Sequence, residues 1–137
     1  MNWTKFNTHG ESNNHAFELM CNTLFENWCK DEYGEDLIQV TFINGSGGDG
    51  GIEAFARLKN DEIIGVQSKW FPEKIESSQI KQIRDSFETA LKVRPNIKKY
   101  IVCIPKDLTA KRIVRGGKIS TNTEFDRWNK FIESVKD

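Results

Sequence analysis

A polar pair stands where a buried strand would carry apolar side chains. The stretch Ile63–Phe71 reads IIGVQSKWF, has strand character and is followed by Pro72. Side chains alternate between the two faces of a strand, so Gln67 and Lys69 share one face and Ser68 takes the other. This pair is the first feature of the chain that could do chemistry.

Acidic residues enter from a glycine-rich loop earlier in the chain. Residues 44–51 read NGSGGDGG, with five glycines among eight residues, so the backbone turns sharply or approaches another group closely there. Asp49 lies in this loop, and Glu53 follows four residues later, so the two side chains would point to the same face of a strand. Asp49 is then expected next to Lys69 or beyond it.

A hairpin brings Glu53 towards the polar pair. The stretch Ile52–Leu58 has strand character, and a polar turn at 59–62 joins it to the strand that carries Gln67. If the two strands pair through this turn, the residue opposite Gln67 is Glu53, with an uncertainty of one residue in the register. Cross-strand neighbours lie roughly 5 Å apart at their Cβ atoms.

Acids, an amide oxygen and a lysine at one place suit phosphodiester hydrolysis. Carboxylate and amide oxygens are ligands that a hard divalent ion such as Mg²⁺ accepts, and this ion keeps several bound waters. It polarises a phosphoryl oxygen and lowers the pKa of a bound water. A lysine nearby can neutralise charge that develops on the phosphorus centre or position the attacking water.

A predicted first helix carries a further acid. Apolar residues between Ser12 and Lys30 follow helical spacing, with Ser12 as the N-cap and Gly34 where the chain leaves the helix. Glu18 lies on the flank of this apolar stripe. A solvated glutamate and a carboxylate aimed at the sheet are equally compatible with that position.

The remaining elements predict an α/β fold. A helix between two strands favours parallel pairing of the last strand, so the sheet is mixed. The order is α, β, β, β, α, β and then helical, which gives one domain over residues 1–137. The other predicted elements are strands at Leu37–Ile43 and Tyr100–Ile104, helices at Ser77–Val93 and Glu124–Val135, and a short helix at Asp107–Ile113.

Composition limits the function classes. Twenty basic and twenty acidic residues cancel, so DNA binding would depend on local patches. No apolar run approaches the roughly 20 residues of a membrane span, and the N-terminus has no signal-peptide pattern. Three cysteines, Cys21, Cys29 and Cys103, show no tight pairing, which suits a reducing cytoplasm.

The motifs together resemble a known nuclease superfamily. The chain carries a helix glutamate, then GGDGGIEAF and then GVQSKWF, an order that resembles the PD-(D/E)XK nucleases. Within that superfamily it is similar to the Mrr-like restriction endonucleases, in which glutamine replaces the acid of the (D/E)XK half-motif. With YIVCIPKDLTAKR and FDRW included, the similarity covers about residues 12–135. It resembles the N-terminal nuclease domain of bacterial antiphage defence proteins, either STAND-type ATPases or effectors of cyclic-nucleotide signalling.

This resemblance implies a restriction-endonuclease-like three-layer fold, with a central mixed sheet of four to five strands flanked by helices. It implies Gln67 and Lys69 as the half-motif, Glu18 as the helix acid, and the Ser68 carbonyl as a further metal ligand. Many relatives have aspartate where this chain has Glu53. We expect Glu53 as the direct ligand, with Asp49 as the alternative or as a supporting acid.

The expected function is therefore Mg²⁺-dependent hydrolysis of double-stranded DNA in the bacterial cytoplasm, with Mn²⁺ as a substitute and no membrane contact. The expected partners are DNA and either a homo-oligomer or a longer parent chain with ATPase or sensor domains, of which this would be the N-terminal part. A DNA-binding or assembly module that no longer cleaves is the alternative, because of the substitution at Glu53 and the neutral charge. A nuclease that acts only after oligomerisation is a third reading. Basic residues such as Lys81, Arg84 and Lys98 could follow DNA phosphates, although each one alone is better explained as a solvated side chain.

Overall fold

The computed structural model describes residues 12–43, 49–108, 116–117 and 123–136, with Asp49 described by its backbone only. Three helices and four strands follow one another along this part of the chain, and two short 3₁₀ turns cover Gly34–Asp36 and Asp49–Gly51. In chain order the elements are α1 (Asn13–Tyr33), β1 (Leu37–Phe42), β2 (Ala54–Leu58), β3 (Ile63–Ser68), α2 (Ser77–Val93), β4 (Ile97–Cys103) and α3 (Glu124–Val135).

Helix α1 has the predicted ends. The Ser12 hydroxyl accepts a hydrogen bond from the His15 N–H at 3.2 Å, which satisfies one of the unpaired donors of the first turn. Gly34 closes the helix with φ of 50°, and its N–H donates to the carbonyl of Lys30. The left-handed region suits a glycine because it has no Cβ.

The sheet has the order β1-β2-β3-β4. Strands β1, β2 and β3 pair antiparallel, whereas β3 and β4 pair parallel, as the intervening helix predicts. The hairpin between β2 and β3 turns where expected: Asp61 has φ of 66°, and the Leu58 N–H donates to the Glu62 carbonyl at 3.0 Å. The described sheet is thus mixed and four-stranded.

Helices cover both faces of the sheet. Alternate residues of β2 and β3 form one core with Phe25 and Cys29 of α1. On the other face, the Phe87 ring of α2 meets Tyr100 of β4 at 5.2 Å between centroids, and it meets Phe131 of α3 at 6.5 Å. All six residues of β3 are buried, which is the pattern of a central strand covered on both sides. The predicted three-layer α/β class is confirmed.

A buried ion pair holds α3 to the chain around it. Glu124 is fully buried, and its carboxylate lies 2.8 Å from the Lys106 ammonium, just past β4. The same carboxylate accepts the backbone N–H of Ile75, shortly before α2 begins. Asp107 and Leu108 are in no helix, and the rest of the predicted helix at Asp107–Ile113 lies outside the described residues. Within the described ranges, no helix is long and apolar enough to cross a membrane.

Candidate functional site

The predicted half-motif lies at the carboxyl end of the central strand. Gln67 and Ser68 are the last two residues of β3 and are buried, with 3% and 7% of their surface exposed. The Lys69 N–H donates to the Cys103 carbonyl at 2.9 Å, so the chain stays paired with β4 one residue beyond the strand. This bond fixes the backbone from which the lysine side chain extends.

Glu53 lies at the head of β2, beside that strand end. Its N–H donates to the Val66 carbonyl at 2.9 Å and its carbonyl accepts from the Ile43 N–H at 2.8 Å, so its backbone is held on both sides. Ala54 pairs with Val66 as well, which places Glu53 within one residue of the predicted position across from Gln67. Its carboxylate Oε2 accepts the Ser68 N–H at 3.0 Å.

The environment of Glu53 disfavours a free carboxylate. Burial raises the pKa of Glu53 to about 7, and the negative charge of Glu18 raises it further, against the hydrogen bond from Ser68 and the charge of Lys69. Both Glu18 and Lys69 are therefore near enough to act on this carboxyl group. A carboxylate that is costly to ionise beside a second acid is a site that gains from a bound cation.

Glu18 is half-buried on α1, and its effect on Glu53 favours the reading in which it points towards the sheet. Asp49 opens the 3₁₀ turn that leads to β2, but its side chain lies outside the described residues. The structure therefore gives a position for the carboxylate of Glu53 and none for that of Asp49. Ser68 lies between the two half-motif residues, with its N–H directed to Glu53 rather than to solvent.

Tyr100 is a site residue that the sequence reasoning missed. Its hydroxyl lies 2.5 Å from Gln67 Oε1 and 2.8 Å from the Gly51 carbonyl. Burial and the charge of Glu53 raise the pKa of Tyr100, so the phenol stays protonated. The parallel pairing of β4 with β3 is the signal that could have placed Tyr100 in the site. In the register of this pair Tyr100 lies opposite Gly65, so its side chain is on the same face as Gln67.

The contact with Tyr100 determines which end of the Gln67 amide faces the phenol and which end is left to bind another group. A phenol has one hydrogen, so Tyr100 can donate to the Gly51 carbonyl or to Gln67 Oε1 but not fully to both. With the Gln67 amide turned by 180°, its NH₂ would donate to the Tyr100 hydroxyl while that hydroxyl donates to the Gly51 carbonyl. That arrangement leaves Gln67 Oε1 as an acceptor on the side away from Tyr100.

Gly51 explains part of the glycine-rich loop. It has φ of 74°, and a Cβ placed on it would lie 2.0 Å from the Ser86 carbonyl oxygen of α2. No side chain fits at that distance, so glycine is required for the loop to lie against α2. This contact holds the Gly51 carbonyl where Tyr100 reaches it.

Two thiols lie under the strand end, on the α1 side. Cys21 of α1 is buried, and its hydrogen bond with Cys103 together with burial raises the pKa of the Cys21 thiol. Cys103 pairs with Ser68 across β3 and β4. All three cysteines are free thiols. A protonated, buried thiol packs as a small apolar side chain here.

The described donors fit a hard divalent ion with few protein ligands. Two carboxylates, an amide and a lysine lie near the start of β2 and the end of β3. A hard divalent ion fills its remaining coordination positions with water. In the described part of the chain, no group of three or more His, Cys, Asp and Glu side chains is arranged to hold a metal. The set instead combines Glu53 and Glu18 with the Gln67 amide.

Comparison with protein-family models finds no match to this sequence, and comparison with curated proteins finds none. The resemblance to the PD-(D/E)XK nucleases therefore stays a prediction that depends on the motifs and on the geometry of the site.

Proposed function

We propose that this protein is a metal-dependent endonuclease that hydrolyses phosphodiester bonds of double-stranded DNA. One observation carries this assignment. The half-buried carboxyl group of Glu53 lies at the head of β2 and accepts the N–H of Ser68 at the end of β3, and the charges of Glu18 and Lys69 act on its pKa. A carboxylate, an amide and a lysine at the end of two adjacent strands match the chemistry that phosphoryl transfer to water requires.

Each residue has a distinct role in this proposal. Glu53 and the Gln67 amide oxygen bind the metal, with the Ser68 carbonyl as a further ligand and Asp49 as the alternative to Glu53 or its support. Glu18 completes the site through water or a second ion. Bound Mg²⁺ or Mn²⁺ would supply Lewis-acid polarisation of the phosphoryl oxygen and a water of lowered pKa.

Lys69 supplies charge that the metal ligands cannot. Its backbone is fixed by the bond to Cys103, so its side chain starts from a defined position beside Glu53. An ammonium group there stabilises the extra negative charge of the pentavalent transition state and orients the attacking water. It would be worth several kcal/mol only in the transition state, which is why its removal should affect turnover more than the fold.

The wider setting follows from the motif resemblance. We propose a role in antiphage defence in the bacterial cytoplasm, with activity controlled through a homo-oligomer or through ATPase or sensor domains of a longer parent chain. If oligomerisation is the trigger, the protein at nanomolar concentration should cut DNA slowly and at micromolar concentration quickly. Equal specific rates at both concentrations would exclude that trigger.

The experiment is cleavage of supercoiled plasmid in Mg²⁺ or Mn²⁺ by wild type, Lys69→Ala and Lys59→Ala. Lys59 is an exposed lysine in the turn at the opposite end of the same hairpin, so it controls for loss of a positive charge. We expect Lys69→Ala to lose cutting at least about 100-fold, the scale of one electrostatic group in a transition state, and Lys59→Ala to keep it. A Lys69→Ala protein that cuts as fast as wild type would refute the assignment.

One contact favours the second candidate, a DNA-binding or assembly module that does not cleave. The Glu53 carboxylate already accepts a backbone N–H, and its longer side chain stands where many similar nucleases have aspartate. Calorimetric titration with Mn²⁺ separates the two candidates. Absence of metal binding together with absence of nicking would favour the module.

A further inference from the structure

A basic groove runs between α2 and α3, outside the candidate site. It has a volume of about 500 Å³. Four cationic side chains line it, Lys81 and Arg84 from α2 with Arg127 and Lys130 from α3. The lining residues include no aspartate or glutamate, but the Lys81 ammonium lies 2.8 Å from the carboxylate of Asp85, one turn further along α2. This concentration of positive charge stands out in a chain whose acidic and basic residues are equal in number.

The spacing of these cations suits an extended polyanion. Each helix contributes two of them three residues apart, and such residues are neighbours on a helix surface, about 5–6 Å apart at Cβ. Packed helices lie about 8–10 Å apart. The cations therefore form two short rows along the groove. A strand of successive phosphates can contact both rows, whereas one small anion contacts only part of them.

Both arginines of the groove are held in place before any ligand arrives. The Arg84 Nη2 group donates to the Ser134 hydroxyl at 2.7 Å, and its guanidinium lies 5.1 Å from the centre of the Phe131 ring. Arg127 Nε donates to the Ile75 carbonyl at 2.8 Å. A guanidinium fixed in this way loses less side-chain entropy when it binds phosphate.

The groove lies on the same side of the sheet as the Gln67–Tyr100 contact. Aromatic contacts connect Tyr100 to Phe87, and Phe87 to the Phe131 ring on which Arg84 lies. Ser77, the first lining residue, lies eight positions after Lys69 in the chain, so the two lie at most about 28 Å apart. At about 3.4 Å per base pair, this upper limit corresponds to roughly eight base pairs of duplex.

The opposite layer of the fold does not suit DNA. Residues 13–36, which form α1 and the following turn, contain one lysine and six acidic residues, of which Glu18 belongs to the candidate site and the other five lie outside it. Phosphates approaching that face would be repelled. Of the two helical layers in the described part of the chain, only the one formed by α2 and α3 presents a row of cations to a duplex.

We propose that the α2–α3 groove binds the phosphodiester backbone of duplex DNA outside the cleavage position and at most about eight base pairs from it. The choice of ligand rests on the proposed nuclease function, whereas the groove is defined by its own residues. Binding there would position the duplex and would not read its sequence, because phosphate contacts are the same at every base pair.

The test is binding of a fluorescein-labelled 20-base-pair duplex, followed by anisotropy in EDTA between 50 and 200 mM NaCl. Wild type is compared with the double variant Lys81→Gln, Lys130→Gln. Both lysines are exposed, and the Lys81 side chain is 74% exposed, so the fold should be preserved. A matched control carries Lys30→Gln and Lys59→Gln, two exposed lysines outside the groove.

We expect the groove variant to bind at least about ten-fold more weakly at 50 mM salt, and its log–log salt slope to fall by about 2, since two phosphate contacts are removed. The control should keep the affinity and slope of wild type. Equal loss in both double variants, or no loss in the groove variant, would overturn the proposal. A mononucleotide that competes as well as the duplex would overturn it as well.

Binding and cleavage can fail independently in this experiment. Lys69→Ala should bind the duplex as wild type does and fail to cut plasmid in Mg²⁺. If wild type never cuts but the groove variant still loses binding, the nuclease function fails and the groove stands. If wild type cuts and the groove variant binds and cuts equally well, the groove alone fails.

Discussion

Replacement of Glu53 by glutamine should stabilise the metal-free protein at alkaline pH. The pKa of Glu53 rises from its ordinary value of 4.5 to about 7 in the fold, chiefly through burial. The folded state therefore binds a proton that the unfolded state has released between pH 4.5 and 7. Stability is lost as the pH rises through this window, because the folded state must give up that proton.

The size of the effect follows from the shift. One pKa unit is 1.36 kcal/mol, so the rise from 4.5 to about 7 corresponds to about 3 kcal/mol lost above pH 7. Glu53 is half-buried, so solvent reduces this value, and we expect about 1–3 kcal/mol. Glutamine keeps the shape and can accept the Ser68 N–H but does not ionise. Glu53→Gln should therefore match wild type near pH 4.5 and exceed it at pH 8.

Urea unfolding in EDTA at pH 5, 6, 7 and 8 measures this difference. At pH 8 the variant should unfold at a urea concentration about 0.5–2 M higher than wild type, given typical urea slopes. Glu73→Gln, at an exposed acid between β3 and α2, is the control and should follow wild type at every pH. The electrostatic reasoning would be refuted if the urea midpoints of wild type and Glu53→Gln changed in parallel with pH, or if the variant were less stable than wild type at pH 8.

Two further substitutions test the surroundings of the site. Tyr100→Phe removes the hydroxyl that lies beside Gln67 and the Gly51 carbonyl. We expect the free energy of unfolding in urea to fall by about 1–2 kcal/mol and plasmid cleavage to fall about 10- to 100-fold. Unchanged cleavage would show that the contact does not orient the Gln67 amide. Gly51→Ala should cost more than about 2 kcal/mol, because the new Cβ would lie 2.0 Å from the Ser86 carbonyl oxygen. Gly34→Ala is its control, since Gly34 also has positive φ but no atom within 4 Å of a new Cβ, and equal losses at the two glycines would argue against the steric explanation.

Much of the fold could be predicted because its signals are local. Helix α2 has the predicted ends, since its apolar face is regular and Pro95 follows it closely. The hairpin turn and the parallel pairing of β4 follow from turn chemistry and from the crossover helix. The sequence pattern predicts that β4 starts at Tyr100, whereas it starts three residues earlier, at Ile97. The charged residues Lys98 and Lys99 are the reason for this difference. In the described sheet β4 is an edge strand, where exposed lysines are tolerated.

The site could be predicted only in part, because its remaining contacts join distant segments. Strand parity and the hairpin place Glu53 beside Gln67. The Tyr100 hydroxyl reaches that pair through the register of a parallel strand 33 residues away, which no periodicity encodes. The effect of Glu18 on Glu53 likewise depends on how α1 packs on the sheet, so the sequence left the orientation of Glu18 open.

Titration of plasmid cleavage with Mn²⁺ tests the central claim most directly. Wild type and Glu53→Gln are compared at pH 8 with a fixed amount of supercoiled plasmid, and EDTA stops each reaction. If these residues form a metal-dependent nuclease site, wild-type cleavage should rise to a plateau with metal concentration and vanish in EDTA, and Glu53→Gln should stay near background. Cleavage by wild type that is the same in EDTA, or a Glu53→Gln variant with the same metal dependence as wild type, would contradict it.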